Sequence, residues 1–241
     1  MSAFDPLTPR LRPASTTHLH HSVGPSLTRP LFIVFEGIDG AGTTTQSQRL
    51  AKRLQQAGPE PVLTREPGGT PLAERIRNLV LDPDAGDVDH VTELLLYAAS
   101  RRQHVTELIN PSLASGKPVI SDRYAASTVA YQGVGRGLGI GMTQTVNNIA
   151  VGATLPDITI CLDLSVEIAS TRRLARGGKE DRLEQAGPSL QQRVRDAFLA
   201  MATDDDRWLL VDASADELSV HETIWSALQI RFPAFPFTKT R

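Results

Sequence analysis

The stretch LFIVFEGIDGAGTTTQSQRL, from Leu31 to Leu50, predicts the fold of the chain around it. It opens with the apolar run LFIVF, which is too short for a globular helix and rich in branched and aromatic residues, as in a strand buried on both faces. Three glycines follow, and the residues from Thr44 to Ala57 have the apolar spacing of a helix that Gly58 closes. A strand, a glycine-rich loop and a helix in this order predict a phosphate-binding site, because loop N–H groups and the positive helix end face an anion together.

The loop differs from the P-loop pattern GxxxxGK[ST] at one position. Gly37 and Gly42 have the required spacing and Thr44 is the final hydroxyl residue, but Thr43 stands where the pattern has lysine. Lysine is the most highly charged element of this motif. A glycine-rich turn without a ligand is therefore the alternative interpretation of this segment.

Composition places the chain among ordinary globular proteins. Its 241 residues are 40% hydrophobic and 22% charged, which is enough for one large domain with a sizeable core. The net charge of -2 argues against a general binder of nucleic acid or of anionic membranes. No run approaches the roughly 18 apolar residues of a membrane helix. The single Cys161 lies in an apolar run and is expected to be a small buried residue, which fits a reducing cytoplasm.

Residues 1–30 are predicted to be a disordered extension. They contain five prolines and show neither helical nor strand periodicity. The segment lacks the apolar core of a secretory signal, and its prolines oppose a transit-peptide helix, although its acid-poor composition leaves that alternative open. His18, His20 and His21 are more typical of a solvated tail than of a metal site, because no other ligands accompany them.

Four further short apolar segments are predicted strands, and helical patterns separate them. This alternation predicts an α/β fold, a five-stranded and mainly parallel sheet with helices on both faces. The four strands are Pro61 to Thr64, Pro118 to Ser121, Ile158 to Asp163 and Trp208 to Val211. Helices are expected at Leu72 to Leu81, His90 to Leu108, Ala125 to Tyr131, Leu190 to Met201 and Ala215 to Ile230.

Finer expectations concern three of these regions. In the helix from Leu72 to Leu81, the residues predicted to face inward are Leu72, Ile76, Leu79 and Val80. The glycine-rich segment from Gln132 to Gly137 is expected to be a flexible turn. The C-terminal residues 231–241 are expected to be a loose tail.

Polar clusters follow three of the predicted strands. They are the glycine loop, Arg65-Glu66-Pro67 and Asp122-Arg123-Tyr124, and the carboxyl edge of an open α/β sheet is where ligands bind. An aspartate at a strand end beside a phosphate loop is the usual arrangement for holding Mg²⁺. Tyr97 and Arg101, four residues apart on a helix, share a face and can contact one object together.

The chain resembles the bacterial thymidylate kinases over about residues 31–228. The resemblance rests on the blocks FEGIDGAG, TREPGGT, ELLLYAASRRQH, DRYAASTVAYQGVGRG and ARGGKEDRLE, in the order and spacing of that family. It implies transfer of the γ-phosphoryl group of ATP to dTMP by a P-loop nucleoside monophosphate kinase domain at residues 31–230, with a lid at about 172–187. It also implies a homodimer packed through helices, which the apolar length of His90 to Leu108 and Met142 to Val151 would allow. A cytoplasmic protein with no nucleic acid or membrane partner is expected from the composition.

For the ATP side, the resemblance implies that the loop backbone cradles the phosphates. The residues concerned are Gly37, Ile38, Asp39, Gly40, Ala41, Gly42, Thr43 and Thr44. Thr44 and Asp122 would hold Mg²⁺. Asp39 resembles the acidic residue that contacts the acceptor nucleotide and helps organise the metal.

For the dTMP side, the resemblance implies that Tyr97 stacks on thymine while Arg101 and Gln132 hydrogen-bond the base. Arg77 and Arg123 would clamp the 5′-phosphate, since a bidentate guanidinium fits phosphate geometry. The remaining residues implied in this pocket are Glu66, Pro67, Ser127, Thr128 and Tyr131, with Tyr131 placed where a ribose 2′-hydroxyl would collide. From the residues alone, Tyr97 also fits core packing, and Arg101 and Arg77 also fit exposed helix charges.

The missing lysine leads to a hypothesis about the lid. Arg173, Arg176, Lys179 and Arg182 lie in or beside it, and Arg176 is the predicted catalytic charge that closes over the β- and γ-phosphates. Two alternatives to the predicted activity remain: a kinase for another nucleoside monophosphate or a deoxynucleoside, and a catalytically silent nucleotide-binding relative. Thr43 is the one residue that favours the silent protein.

Overall fold

The computed structural model describes residues 30–177, 182–183, 187–203 and 205–237. Within these residues, parallel strands form one sheet in the order β2-β3-β1-β4-β5. The strands are β1 (Phe32–Gly37), β2 (Val62–Arg65), β3 (Val119–Asp122), β4 (Ile158–Asp163) and β5 (Trp208–Asp212). The predicted five-stranded parallel sheet is confirmed. The extension at residues 1–29, much of the predicted lid and residues 238–241 lie outside the described residues.

The helices cover both faces of this sheet. In chain order they are α1 (Thr43–Ala57), α2 (Pro71–Leu81), α3 (His90–His104), α4 (Asn110–Ala114), α5 (Ala125–Thr128), α6 (Ile140–Val151), α7 (Val166–Arg176), α8 (Pro188–Thr203) and α9 (Glu217–Arg231). A 3-10 turn, Pro83–Ala85, follows α2, and π-helical segments, Val105–Ile109 and Val129–Gly135, follow α3 and α5. None of the described helices is long and apolar enough to cross a bilayer.

Strand β1 lies at the centre of the sheet and is buried along its whole length. Ile33 and Phe35 pack in the larger core on one face, and Phe32 and Val34 pack in a smaller cluster on the other. Successive strand residues point to opposite faces, so burial on both explains the uninterrupted apolar run. The sheet order reverses at β1, which places a ligand-binding crevice at its carboxyl end.

Cys161 on β4 is 1% exposed, as expected of a small buried residue. Burial raises the pKa of its thiol to about 12, and the nearby carboxylates Glu36 and Asp163 add to this rise. A thiol with so high a pKa remains protonated and unreactive at neutral pH.

The predicted inward face of α2 is wrong in part. Val80 is fully buried, but Leu72 and Leu79 are 47% and 55% exposed, and the small Ala73 is buried instead. Residues 73 and 80 are two turns apart and define the stripe that packs inward. The helix carries more apolar residues than one stripe accommodates, and its tertiary packing selects among them.

The prediction of a flexible turn from Gln132 to Gly137 is wrong for the residues up to Gly135. It belongs to the π-helical segment Val129–Gly135, in which most side chains are buried. A Cβ added at Gly135 would lie 3.0 Å from Leu190 and 3.3 Å from Val194. This glycine therefore permits the close approach of α8, and it gives no flexibility.

The prediction of a loose C-terminal tail is also wrong for the residues up to 237. Phe237 is 5% exposed, and its ring contacts Trp225 of α9 edge-on with centroids 5.2 Å apart. The Phe235 ring packs against the Phe237 ring, with centroids 4.9 Å apart. Aromatic burial of this size outweighs the mobility expected of a short terminal segment.

Candidate active site

A cleft of about 1000 Å³ opens at the carboxyl ends of β1, β2 and β3. Most residues predicted to bind a ligand line it, although they come from distant parts of the chain. They are Asp39, Gly40, Ala41, Gly42, Thr43, Thr44, Glu66, Pro67, Arg77, Tyr97, Arg101, Asp122, Arg123, Ser127, Thr128, Tyr131, Gln132 and Arg176. Gly37 and Ile38 lie behind the cleft surface, and Ile38 is 2% exposed in the core.

The glycine loop ends at the amino terminus of α1. Gly42 is the N-cap in a left-handed conformation (φ 98°, ψ 18°), and no side-chain hydrogen bond caps this helix start. The first N–H groups of a helix have no partner within the helix. Without a capping side chain they can receive an anion together with the helix dipole.

Thr44 and Asp122 meet at the base of this loop. The Thr44 hydroxyl donates a 2.5 Å hydrogen bond to Oδ2 of Asp122, which ends β3. The second oxygen, Oδ1, is buried without a hydrogen-bond partner among the described residues. A buried carboxylate oxygen without a donor, next to a hydroxyl, fits a hard cation such as Mg²⁺.

The described residues contain no group of three or more His, Cys, Asp or Glu side chains that could hold a metal. A site with one carboxylate and one hydroxyl instead suits an ion that takes its other ligands from water and substrate phosphates.

Arg123 and Asp39 form the centre of the site. Arg123 has a φ of 76°, in the left-handed region, which costs a non-glycine residue about 1–3 kcal/mol. Its guanidinium donates to Oδ1 of Asp39 at 2.6 Å and to the carbonyl of Gly37 at 2.7 Å. Burial alone would lower the pKa of Arg123, but the nearby Tyr131 and Asp39 raise it, so the residue stays charged. The arginine is therefore held at the mouth of the loop.

Two further donors fix the other carboxylate oxygen of Asp39. The Tyr131 hydroxyl and Nε2 of Gln191 each donate to Oδ2 at 3.0 Å. Gln191 is fully buried on α8, and nothing in its local sequence distinguishes it from the neighbouring Gln192. Sequence analysis missed this residue because only the tertiary structure brings α8 against the loop.

A buried ion-pair network forms the opposite wall. Arg101, 2% exposed, donates to Oε2 of Glu66 at 2.7 Å, to Thr128 at 2.9 Å and to Asn147 at 2.6 Å. The other Glu66 oxygen lies 2.9 Å from Nδ1 of the fully buried His104. Burial would raise the pKa of Glu66, but Arg101 and His104 outweigh it and hold the pKa below its ordinary value. The interpretation of Arg101 as an exposed helix charge is thereby excluded.

Gln132 and Arg182 both bind one buried carboxylate. Glu93 on α3 is fully buried and accepts from Nε2 of Gln132 at 2.7 Å. Arg182 lies 2.5 Å from the same carboxylate and donates to the Val80 carbonyl, while Arg136 lies 3.3 Å from Glu93. Arg182 is thus fixed at the buried Glu93, which it shares with Arg136.

The remaining predicted residues contact neighbouring groups at the cleft wall. Ser127 donates its hydroxyl to Oε2 of Glu36 at 2.6 Å, and Arg77 donates to the Pro67 carbonyl at 2.8 Å. Tyr97 is 8% exposed. Glu36, which sequence analysis missed, is fully buried in β1; burial raises its pKa to about 7 against the lowering effects of Arg123 and Ser127. A carboxylate directly after the apolar run of β1 is the sequence signal that could have identified it.

The arginines of α7 differ in their surroundings. Arg173 is 9% exposed and donates to the backbone carbonyl of Asp39 at 2.8 Å. Arg172 donates to the Ala213 carbonyl at 3.0 Å, and Arg176 is exposed at the helix end. All three line the cleft. Lys179 lies outside the described residues.

Comparison with known proteins gives a consistent result. The family model for thymidylate kinase matches residues 35–224 of the chain. Thymidylate kinase from Deinococcus radiodurans is 44% identical over 206 residues, covering 85% of this chain and 99% of the relative. The enzyme of the same name from Halothermothrix orenii is 45% identical over 199 residues, covering 82% and 95%.

A solved structure agrees with these sequence matches. The crystal structure of thymidylate kinase from Ehrlichia chaffeensis superposes with a TM-score of 0.70 and 34% sequence identity. The superposition covers 83% of this chain and 100% of that one.

Proposed function

The chain belongs to the thymidylate kinase family, and we propose that it transfers the γ-phosphoryl group of ATP to dTMP, giving dTDP and ADP for dTTP synthesis. The observation that carries this proposal is the contact between Arg123 and Asp39. It lies in the cleft between the phosphate loop and the wall formed by Glu66 and Arg101, so a phosphate bound on either side is adjacent to the same arginine. Phosphoryl transfer requires two such anions to be held in line.

The loop side of the cleft is the ATP site. Backbone N–H groups of the loop residues that line the cleft, from Asp39 to Thr44, and the uncapped start of α1 bind the phosphates. Thr44 and Asp122 would hold Mg²⁺, which is supported by the unpartnered Oδ1 of Asp122. When bound, the ion neutralises charge on the β- and γ-phosphates. The protein residues orient ATP, and this role requires no proton transfer from them.

The β2 and α3 side is the dTMP site. Tyr97 stacks on thymine, and Arg101 and Gln132 present donors to the base from positions that Glu66 and Glu93 fix. Arg77 and Arg123 bind the 5′-phosphate. Tyr131, held by Asp39, faces the sugar and rejects a 2′-hydroxyl. Pro67, Ser127 and Thr128 complete the wall.

In the transfer step, an oxygen of the dTMP phosphate attacks the γ-phosphorus and ADP leaves with the electron pair of the broken bond. The protein supplies positive charge to the oxygens of the transferring group. Arg123 acts from the acceptor side. Arg176, at the end of α7, closes over the β- and γ-phosphates with the lid.

A catalytically silent nucleotide-binding protein is the second candidate, and Thr43 is its support. Loss of one preorganised charge costs roughly 3–4 kcal/mol, or about 10²–10³ in rate, if nothing replaces it. The complete surroundings of Asp39 and the intact Glu66–Arg101 pair favour the active enzyme, because a silent protein has no need of both halves of the site.

A homodimer in the cytoplasm is the proposed state of the enzyme. Helices α2, α3 and α6 pack side by side, and each exposes large apolar residues, among them Leu79, Leu95 and Ile149, which are 55%, 54% and 74% exposed. Apolar surface of this kind favours association with a second copy. Sedimentation is expected to give twice the chain mass, and Leu95→Asp with Ile149→Asp is expected to give single chains.

The activity is tested with a coupled assay for ADP release in the presence of Mg²⁺. We expect turnover with dTMP, much less with dUMP or dGMP, and none with thymidine, which has no phosphate for Arg77 and Arg123. Chelation of the metal is expected to stop turnover. Binding of ATP and dTMP without ADP release would identify the silent protein, and preference for another monophosphate would change the acceptor.

A further inference from the structure

A buried arginine lies beside the phosphate loop that lacks its lysine. The inward face of α7 consists of Val166, Ala169 and Arg173, so a cation occupies a position that the helix pattern assigns to an apolar residue. Arg173 is 9% exposed, whereas Arg176 is exposed. A buried charge in an apolar stripe requires a compensating interaction.

The position of Arg173 follows from the contact between α7 and the loop. A Cβ added at Gly40 would lie 2.4 Å from the Ala169 carbonyl, so the loop backbone packs directly on the helix. Arg173 is one turn beyond Ala169 on the same face. Its Nη1 donates to the Asp39 carbonyl at 2.8 Å. This contact fixes the guanidinium against the loop backbone.

Part of this guanidinium has no partner. Nε of Arg173 is buried without a hydrogen-bond partner among the described residues, and none of their acidic side chains forms an ion pair with Arg173. Arg182, by contrast, pairs with Glu93. Leaving a charge buried and unpaired is costly, and an anion bound in the cleft removes that cost. Since Arg173 lines the cleft, the phosphates of a nucleotide are in reach.

We propose that Arg173 replaces the P-loop lysine: from α7 it supplies the fixed positive charge at the ATP phosphates that position 43 no longer carries. The inference deepens the proposed function and rests on it. Arg173 contacts the loop in the structure and is present before the nucleotide binds, whereas Arg176 lies at the helix end and acts when the lid closes. Arg173 and Arg176 therefore have different roles: Arg173 is part of the preformed phosphate site, and Arg176 joins it on lid closure.

The test compares kcat and KM values of Arg173→Ala, Arg173→Met, Thr43→Lys and the double variant Thr43→Lys/Arg173→Met. Methionine keeps the apolar stem and removes the charge, so it separates a charge effect from loss of packing. Arg207→Ala is the control, because this exposed arginine pairs with Asp205 outside the cleft. Circular dichroism and calorimetric dTMP binding establish that each variant is folded with an intact acceptor site.

We expect Arg173→Met to lower kcat by about 10²–10³, the usual effect of removing one preorganised charge, with dTMP affinity unchanged. Thr43→Lys is expected to raise kcat about tenfold or more in the Arg173→Met background and to change the wild type much less, because the two cations serve the same phosphates.

Two results would overturn the inference while leaving the activity intact: a folded Arg173→Met enzyme with wild-type kcat, or an equal effect of Thr43→Lys in both backgrounds. Failure of the proposed function looks different, since the wild type and Arg207→Ala would then form no dTDP.

Discussion

The two walls of the cleft are built in different ways. On the dTMP side, buried charges are already neutralised within the protein: Arg101 pairs with Glu66, and Glu93 pairs with Arg182. On the ATP side, polar groups remain without partners among the described residues, namely Oδ1 of Asp122 and Nε of Arg173. The charge pairs of the acceptor wall are therefore in place before substrate arrives, whereas the donor site is completed by the nucleotide and its metal.

This difference predicts that equivalent substitutions on the two walls affect different properties. A change on the dTMP side leaves a buried charge unpaired in the folded protein and lowers stability. A change on the ATP side removes a group that acts only on the ligand and lowers catalysis. The following predictions run from the largest expected effect to the smallest.

Arg101→Ala is expected to lower the free energy of unfolding by about 3–5 kcal/mol, because it leaves Glu66 buried without its counter-ion. For a chain of this size that corresponds to a melting temperature lower by about 10 °C in calorimetry. Arg102→Ala, one residue further along α3 but exposed, is the control and is expected to change little. Equal melting temperatures for the two variants would show that the dTMP wall is not preorganised by this pair.

Asp122→Asn is expected to lower kcat by about 10²–10³ while leaving the melting temperature near that of the wild type. The variant weakens Mg²⁺ binding at an oxygen that has no protein donor to lose. Asp163→Asn, at the end of β4 and outside the cleft, is the matched control. Steady-state kinetics over a range of Mg²⁺ concentrations measures the effect, and full activity of Asp122→Asn would remove this residue from the metal site.

Glu36 is expected to lower the free energy of unfolding as the pH rises from about 4.5 through 7. Its pKa is raised from 4.5 to about 7 in the folded protein, so the folded state binds the proton more tightly and the stabilisation is present only at low pH. The full effect is about 3 kcal/mol, at 1.36 kcal/mol per pKa unit.

The measurement is the difference in urea midpoint between the wild type and Glu36→Gln across this range. His221, whose burial lowers its pKa, contributes with the opposite sign to both proteins, so its effect cancels in the difference. A difference that does not vary with pH would contradict the predicted titration of Glu36.

Tyr131→Phe is expected to have the smallest effect. It removes one of the two hydrogen bonds to Oδ2 of Asp39 and leaves that of Gln191 in place, at a cost of about 0.5–1.5 kcal/mol. This lowers kcat/KM about 2- to 10-fold. The ring is kept, so discrimination against a ribonucleotide acceptor should persist. If Tyr131→Phe loses that discrimination, the Tyr131 hydroxyl and not its ring excludes the ribose 2′-hydroxyl.

The sequence predicted most of the fold because its signals are local. The buried run at β1, the glycine loop and the start of α1 are consecutive in the chain, and their periodicity needs no distant contact to be read. Helix boundaries were predicted to within a few residues at α1 and α2, although the inward face of α2 was wrong for Leu72 and Leu79. A short helix with apolar residues on more than one face acquires its orientation only from its neighbours.

The amino-acid sequence by itself determined a phosphate loop without its lysine, a parallel α/β sheet and the family to which the chain belongs. Only the tertiary structure decided which charges serve the site: Arg182 pairs with Glu93, whereas Arg173 reaches Asp39 from a helix more than a hundred residues away in the chain. The physical reason is that a charge acts through distance and burial, and both are properties of packing between segments that local sequence does not encode.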